Sequence, residues 1–478
     1  MQTLTPNQFP FSDKPKDECG VFGISTKHQN SARITYFGIF ALQHRGQEAA
    51  GIAVSDGEKM RIHKSQGLVS QVFTEENISN LTGHLAIGHT RYSTTGSSNL
   101  RNVQPMLLDT RYGPVALAHN GNLVNAVDLR AELFEQGVGF ASTSDSEVII
   151  TMLAAAKGED WLDRIANTMP NWKGAFSLVI LTIDGVYAAR DPWGLRPLTV
   201  GRLPGGGYAV ASESGALETI GCDSIREVNS GEVIALHNQA LIVRQAIPPA
   251  ERQAKCTFEH IYFSRPDSIW DGKVVHDVRV RLGRQLAIEY PTEADVVIPV
   301  PDSSIPATLG YSSVSGIPYD IGLLKNIYIG RTFIQPSQEM RGKDVKLKFN
   351  AIPSVLHGKR VIVIDDSIVR GTTSKHLVEI IRKAGAKEVH FRVTCPPITN
   401  PCYMGVDMST HNEMIAHNKS VEEIRAYLQA DSLYYVSMAG MMEAIGASSG
   451  YCNACFTGDY PFEIATEATK LCLESRLD

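Results

Sequence analysis

The sequence predicts a protein of two unlike domains, an α+β N-terminal half built on stacked sheets and an α/β C-terminal half built on a parallel sheet. A chain of 478 residues is too long for one ordinary core. From Phe176 to Val243, short apolar runs such as Phe176 to Leu181 alternate with turn signals such as Gly205-Gly206-Gly207, the pattern of stacked sheets. Further on, Val361-Ile362-Val363-Ile364 is too short for a helix and entirely β-branched, so it reads as a buried parallel strand. It stops at Asp365-Asp366, the kind of strand end at which α/β folds place their sites. Between the two halves, Pro248-Pro249 followed by Ala250-Glu251-Arg252-Gln253 is the best linker, and the domain break is expected at residue 250.

Composition narrows the class. Hydrophobic content of 43% and charged content of 20% are those of a soluble globular protein, and a net charge of −6 gives no general attraction to nucleic acid. No apolar stretch approaches the roughly 18 residues that span a membrane. The N-terminus, with Asp13, Lys14 and Lys16, lacks the apolar core of a signal peptide, so a cytoplasmic protein is expected. Residues 1–18, with Pro6, Pro10 and Pro15 and no sustained period, read by themselves as a flexible tail. The cysteines, at 19, 222, 256, 395, 402, 452, 455 and 472, are too dispersed for a secreted disulfide framework, which leaves metal binding or catalysis for some of them.

After the Asp pair the chain runs Ser367-Ile368-Val369-Arg370-Gly371-Thr372-Thr373, then shows Leu377, Ile380, Ile381 and Ala384 at helical spacing before a Gly385 stop. The Thr372 and Thr373 hydroxyls and the loop N–H groups at a helix N-terminus suit a phosphate. Asp365 and Asp366 would repel that phosphate, so they need ribose hydroxyls or a Mg2+ that itself holds a pyrophosphate. A surface turn with two solvated acids is the plain alternative. The run resembles the phosphoribosyl-pyrophosphate (PRPP) loop of type I phosphoribosyltransferases, in particular that of the glutamine PRPP amidotransferases. The resemblance implies PRPP contacts from Asp365, Asp366, Ser367, Arg370, Gly371, Thr372 and Thr373. A strand from Asp295 to Val300 ends at Pro301-Asp302-Ser303-Ser304, and the resemblance places Ser303 beside Asp365 and Asp366 as a Mg2+ ligand. Between the two strands lies a polar, basic segment from Lys325 to Lys348. In the family it closes over PRPP, with Lys325 and Arg331 as candidates for pyrophosphate; a solvated basic face is the other reading.

Cys19 opens a strand-like alternation, Cys-Gly-Val-Phe-Gly-Ile, and a cysteine there is ordinarily a small buried hydrophobe. Four later runs resemble the class II glutamine amidotransferase domain in order: Leu42 to Glu48, Gly88 to Thr94, Ala118 to Asn122 and Thr143 to Glu147. That family has an αββα N-terminal-nucleophile fold and an N-terminal cysteine nucleophile. Glutamine hydrolysis needs a nucleophile, a base, an oxyanion site and recognition of an amino-acid zwitterion. Cys19 would be the nucleophile. If residues 1–18 are a propeptide cut before Cys19, the new α-amino group, with a reference pKa of roughly 7.7–8.0, is a suitable base. The resemblance puts the Asn120 amide and the Gly121 N–H at the oxyanion, in a turn. Arg91 suits the substrate carboxylate and Asp145 its ammonium. Ordinary readings stand beside these: Asn120-Gly121 as a hairpin turn, Arg91 as a surface ion pair, and Ser144 with Glu147 as a capping box on the helix carrying Val148 and Ile149. Arg190 to Gly194 and Ala211 to Ser214 also look like family segments, with no assignable chemistry.

Cys452-Asn453-Ala454-Cys455 alone admits a redox dithiol, half of a zinc site, or part of an iron–sulfur site. The iron–sulfur, propeptide-bearing branch of the amidotransferases matches this chain at Cys256, Cys402, Cys452 and Cys455, which implies a [4Fe–4S] cluster. The resemblance covers the chain from Cys19 to about Pro461. It implies a glutaminase domain over 19–250 and a phosphoribosyltransferase domain with a cluster-binding segment over 251–478. It also implies transfer of ammonia from glutamine to C1 of PRPP in purine synthesis, a homotetramer and inhibition by purine nucleotides. Another class II amidotransferase would share the first domain but not the loop at Asp365. A PRPP-binding regulator would have no use for Cys19, Arg91, Asn120 and Asp145 together.

Overall fold

The computed structural model describes residues 19–92, 99–326, 349–408, 410–464 and 473. Among them the chain forms two compact units, one of 19–278, 401–408 and 447–464 with 473, the other of 279–400 and 410–446.

The first unit holds two antiparallel sheets. One runs in the order Asp223–Glu227, Thr199–Arg202, Gly207–Ala211, Gly20–Thr26, Leu85–Arg91, Ala49–Ser55 and Met60–Gln66. The other runs Ala240–Gln245, Glu232–His237, Val186–Arg190, Gly174–Leu181, Gly113–Leu123 and Met106–Thr110. Successive residues of a strand point to opposite faces, and both faces of these sheets are covered, which is why the central strands are apolar at both parities. Val21, Ile87 and Val210 of the first sheet pack on Ala118, Val179 and Ala188 of the second. Phe22 and Ile24 face the other way, onto Ile39 of the helix Ser31–Ala41. Beyond the second sheet, Phe176 and Leu178 meet Leu129 of Ala126–Glu135, Val148 and Ile149 of Asp145–Ala155, and Ile165 of Trp161–Thr168. The layers are therefore αββα, as expected, and each such fully buried side chain contributes about 2 kcal/mol by leaving water.

The second unit is an α/β layer whose parallel strands lie in the order Val296–Pro299, Arg360–Asp365, Glu388–Val393 and Ser432–Tyr435. The helix after Asp365 spans Thr372–Lys383, buries Leu377, Val378 and Ile381, and ends before Gly385 at φ +95°, close to the expected bounds. Because the strands are parallel and Pro299 pairs with Ile364, the carboxyl ends of the first two strands open at one edge.

The domain break differs from the expected residue 250. The first unit continues to residue 278 and takes back two later segments. The linker composition is real, but its polar groups find partners on the first unit. Ala250 N–H donates to Pro192 O at 2.8 Å, Cys256 N–H donates to Leu195 O at 3.2 Å, and Lys255-Cys256 pairs in parallel with Tyr451-Cys452.

Candidate active site

Cys19 immediately precedes the strand Gly20–Thr26, and the pairing of Gly20 with Thr90 carries it alongside Arg91. The thiol is buried and donates to the Tyr92 carbonyl oxygen at 3.3 Å. Burial pushes it up to about 11, against the pull of that hydrogen bond and of the Arg91 charge. Cys19, Arg91, Gly121 and Asp145 line one pocket, with Gln104, His119 and Ser146 in its wall.

Asn120 is buried, and its Nδ2 has no hydrogen-bond partner among the described residues. Leaving a buried N–H unmatched costs about 1–3 kcal/mol, so a donor kept in that state is free to take an acceptor. The expected turn at Asn120-Gly121 is absent. Both residues lie within the strand Gly113–Leu123, opposite Ser177 and Phe176. Gly121 is required there because its φ is +145° and a Cβ would stand 2.0 Å from the Ala175 carbonyl oxygen.

Asp145 begins the helix Asp145–Ala155, and its Oδ2 accepts from Leu123 N–H at 3.0 Å. Ser144 caps this helix by accepting from Ser146 N–H at 3.2 Å. The capping box is not formed. Ser144 N–H goes to Ser142 Oγ, and the Glu147 carboxylate instead accepts from Ala141 and Ser142 N–H, each at 2.7 Å. Behind Asp145, His119 Nδ1 lies in hydrogen-bond contact with Ser146 Oγ at 3.1 Å and its Nε2 with Ala175 O at 3.5 Å. Gln104 Nε2 donates to Ser146 Oγ, while Gln104 Oε1 accepts from His119 N–H. Sequence reasoning assigned no role to these supports. His119 and Ser146 sit inside matched runs, whereas nothing local marks Gln104.

In the second unit the structure brings the expected strand-end groups together. Asp365 and Asp366 are buried. Ser303 Oγ donates to Asp366 Oδ2 at 2.5 Å, Ser367 Oγ donates to Asp366 Oδ1 at 2.7 Å, and Asp366 N–H donates to Asp365 Oδ1 at 2.9 Å. Gly371 has φ +78° and leads into Thr372 and Thr373, which open the helix. Arg370 pairs with Glu413 at 3.2 Å, and Lys325 Nζ donates to Asp302 Oδ2 at 2.9 Å. Arg331, residues 1–18 and most of the basic segment, from 327 to 348, lie outside the described residues.

Among the described residues no group of three or more His, Cys, Asp or Glu stands ready to hold a metal ion. The donor chemistry nonetheless suits the expected groups. Two carboxylates with a hydroxyl are oxygen ligands of the kind Mg2+ takes. Cys256 is in register with Cys452, and Cys402 and Cys452 pack against one small apolar cluster with Trp193 and Phe462. Burial pushes Cys256 up to about 12 and Cys452 to about 11, and the charge of Cys402 adds to both. Tyr460 adjoins the same set, its phenol raised by burial and further by Cys402, Cys455 and Cys452. Cys395 sits apart, beside Asp365 and Asp366, and Cys472 lies outside the described residues. No helix among the described residues is long and apolar enough to cross a membrane.

The chain matches the glutamine amidotransferase domain family over residues 89–219 and the phosphoribosyl transferase domain family over residues 277–423. It is 49% identical over 471 residues to an amidophosphoribosyltransferase of Synechococcus elongatus, covering 97% of this chain and 95% of that one. To the Bacillus subtilis amidophosphoribosyltransferase it is 48% identical over 454 residues, with 94% and 95% covered. A solved structure of the allosteric regulatory enzyme of purine biosynthesis superposes with a TM-score of 0.90 at 46% identity, covering 95% and 99% of the two chains. The glutamine PRPP amidotransferase from B. subtilis, complexed with ADP and GMP, superposes with a TM-score of 0.89 at 47% identity, covering 94% and 99%. Identity near one half over nearly the whole length of each partner means that the chain belongs to the amidophosphoribosyltransferase family.

Proposed function

We propose that this protein hydrolyses the amide of glutamine in its first unit and adds the ammonia to C1 of PRPP in its second, giving 5-phosphoribosylamine, glutamate and pyrophosphate. One observation carries the reading: Cys19, Arg91, Gly121 and Asp145, drawn from four separate stretches of the chain, line one pocket. Arg91 holds the glutamine α-carboxylate and Asp145 its α-ammonium, which sets the side-chain amide against the thiol.

The base is the α-amino group of Cys19 in a chain cleaved after Glu18. His119, the histidine of the pocket wall, has both ring nitrogens engaged. As the S–C bond forms, the thiol proton passes to the α-amine and the carbonyl oxygen becomes an oxyanion, held by Asn120 Nδ2 and Gly121 N–H. Collapse expels ammonia, which takes that proton, and water releases glutamate from the thioester.

In the second unit, Thr372, Thr373 and the loop N–H groups hold a phosphate, while Arg370, Lys325 and Arg331 offset pyrophosphate charge. Ser303, Asp365 and Asp366 would hold Mg2+, which neutralises the leaving pyrophosphate. Cys256, Cys402, Cys452 and Cys455 would hold a [4Fe–4S] cluster with a structural role. A homotetramer inhibited by purine nucleotides, working in the cytoplasm, completes the reading; the relative solved with ADP and GMP supports the nucleotide part.

The test is an assay of purified protein with glutamine, PRPP and Mg2+. Pyrophosphate release that depends on glutamine, is lost in Cys19→Ala and is restored to that variant by free ammonia is expected. Glutamine-independent behaviour in the unaltered protein, or release unaffected by Cys19→Ala, overturns the reading.

A further inference from the structure

The segment Tyr403–Gly405 meets the strand that carries Asn120 and Gly121, and the contact joins residues 281 positions apart. Asn122 Nδ2 donates to the Tyr403 carbonyl oxygen at 2.9 Å. Arg196 Nε donates to the Met404 carbonyl oxygen at 2.8 Å, and the guanidinium is fully buried, with Glu259 3.9 Å away on its other side. Gly405, at φ +100°, lies against Gly121 so closely that a Cβ on it would stand 3.0 Å from the Gly121 carbonyl carbon and 3.1 Å from its Cα. On its own Cβ side Gly121 is blocked by the Ala175 carbonyl. The backbone of Gly121 is thus held between two backbones and cannot drift without displacing one of them.

We propose that Tyr403–Gly405 is a backstop that positions the oxyanion donors of the glutaminase pocket, with Asn122 and Arg196 as the positioning residues that tether it. The inference rests on the reading of Asn120 and Gly121 as oxyanion donors. Those donors contribute only if they stand within hydrogen-bond distance of an oxygen that becomes charged in the transition state. Bound glutamine is held by Arg91 and Asp145 instead, so a loosened backstop lowers kcat and spares KM.

The experiment compares Asn122→Ala, Gly405→Ala and Asn120→Ala in the full chain. Glutaminase kcat and KM are measured together with inhibition by glutamate and by the γ-aldehyde analogue of glutamate. Cys19 adds to that aldehyde, the S–C bond forming as the carbonyl oxygen takes the thiol proton, so the adduct's oxygen occupies the donor site. The expected result for Asn122→Ala and Gly405→Ala is a fall in kcat of about tenfold or more with KM within about twofold. Aldehyde inhibition should weaken in parallel, and glutamate inhibition should stay unchanged. Unaltered kcat and aldehyde inhibition in both variants, while Asn120→Ala loses kcat, overturns the backstop. So does a joint loss of kcat, glutamate binding and thermal stability, which marks a merely structural contact. An undiminished kcat in Asn120→Ala overturns the oxyanion reading itself.

Discussion

Burial raises the pKa of the Cys19 thiol, and that bears on how it would act as the proposed nucleophile. With burial pushing the thiol up to about 11, the thiol form prevails at neutral pH, so attack requires a partner that takes its proton. An α-amine with a reference pKa of roughly 7.7–8.0 accepts protons only when deprotonated, and therefore glutaminase kcat/KM should rise with pH through that range. Above the amine pKa, for as long as the thiol stays protonated, the productive pair, free amine and neutral thiol, is formed, giving a plateau. A pH profile of the cleaved protein checks this, and an acid limb centred near pH 6 would point to a histidine instead. Asn120→Ala removes a donor that is idle in the resting site, so it should lower glutaminase kcat by about 10²–10³ with little effect on fold stability. Steady-state kinetics and a thermal melt separate the two effects.

Among the elements, Arg190-Asp191-Pro192-Trp193-Gly194 had no readable role in the sequence, and the structure supplies one. The buried Asp191 carboxylate accepts from Phe176 N–H at 3.2 Å, Trp193 N–H at 3.0 Å and Leu195 N–H at 3.1 Å. It thereby fixes the strand next to Gly121 to the loop after Arg190. Asp191→Ala orphans those donors and should cost about 3 kcal/mol or more, read as a lower denaturant midpoint. In the second unit the entry to the helix Thr372–Lys383 depends on the left-handed Gly371. Gly371→Ala costs about 1–2 kcal/mol of backbone strain and places a Cβ 2.9 Å from Ile415 Cδ1. If the loop holds phosphate as proposed, its shift should raise the PRPP KM about tenfold while glutamine hydrolysis without PRPP is unchanged. An unaltered PRPP KM would show that the loop tolerates the change.

For the whole molecule, four cysteines from three distant stretches, 256, 402 and 452–455, belong to the same compact unit. Burial raises Cys256 and Cys452 separately, and the proposed cluster would stabilise such thiols as thiolates, so its binding would be coupled to folding. Anaerobically purified protein should be brown with iron and sulfide in near-equal amounts, and Cys452→Ser should lose iron and thermal stability together. Zinc in place of iron, or undiminished iron in that variant, would refute the cluster.

The sequence by itself determined the two domain classes, the strand end at Asp365-Asp366, the helix after it, and Arg91, Gly121 and Asp145 as residues that share a pocket with Cys19. These follow from periodicity, composition and short runs, which depend on residues near one another in the chain. Tertiary structure decided the rest. It moved the domain break from residue 250 to 278, because backbone hydrogen bonds to Pro192 and Leu195 outweigh a linker-like composition. It placed Asn120 and Gly121 within a strand rather than a turn, and it set Gln104 in the pocket wall and Gly405 against the Gly121 backbone. That Asn120 Nδ2 lacks a partner among the described residues is visible only in the folded chain, since satisfaction of a buried polar group is a property of the whole packing around it.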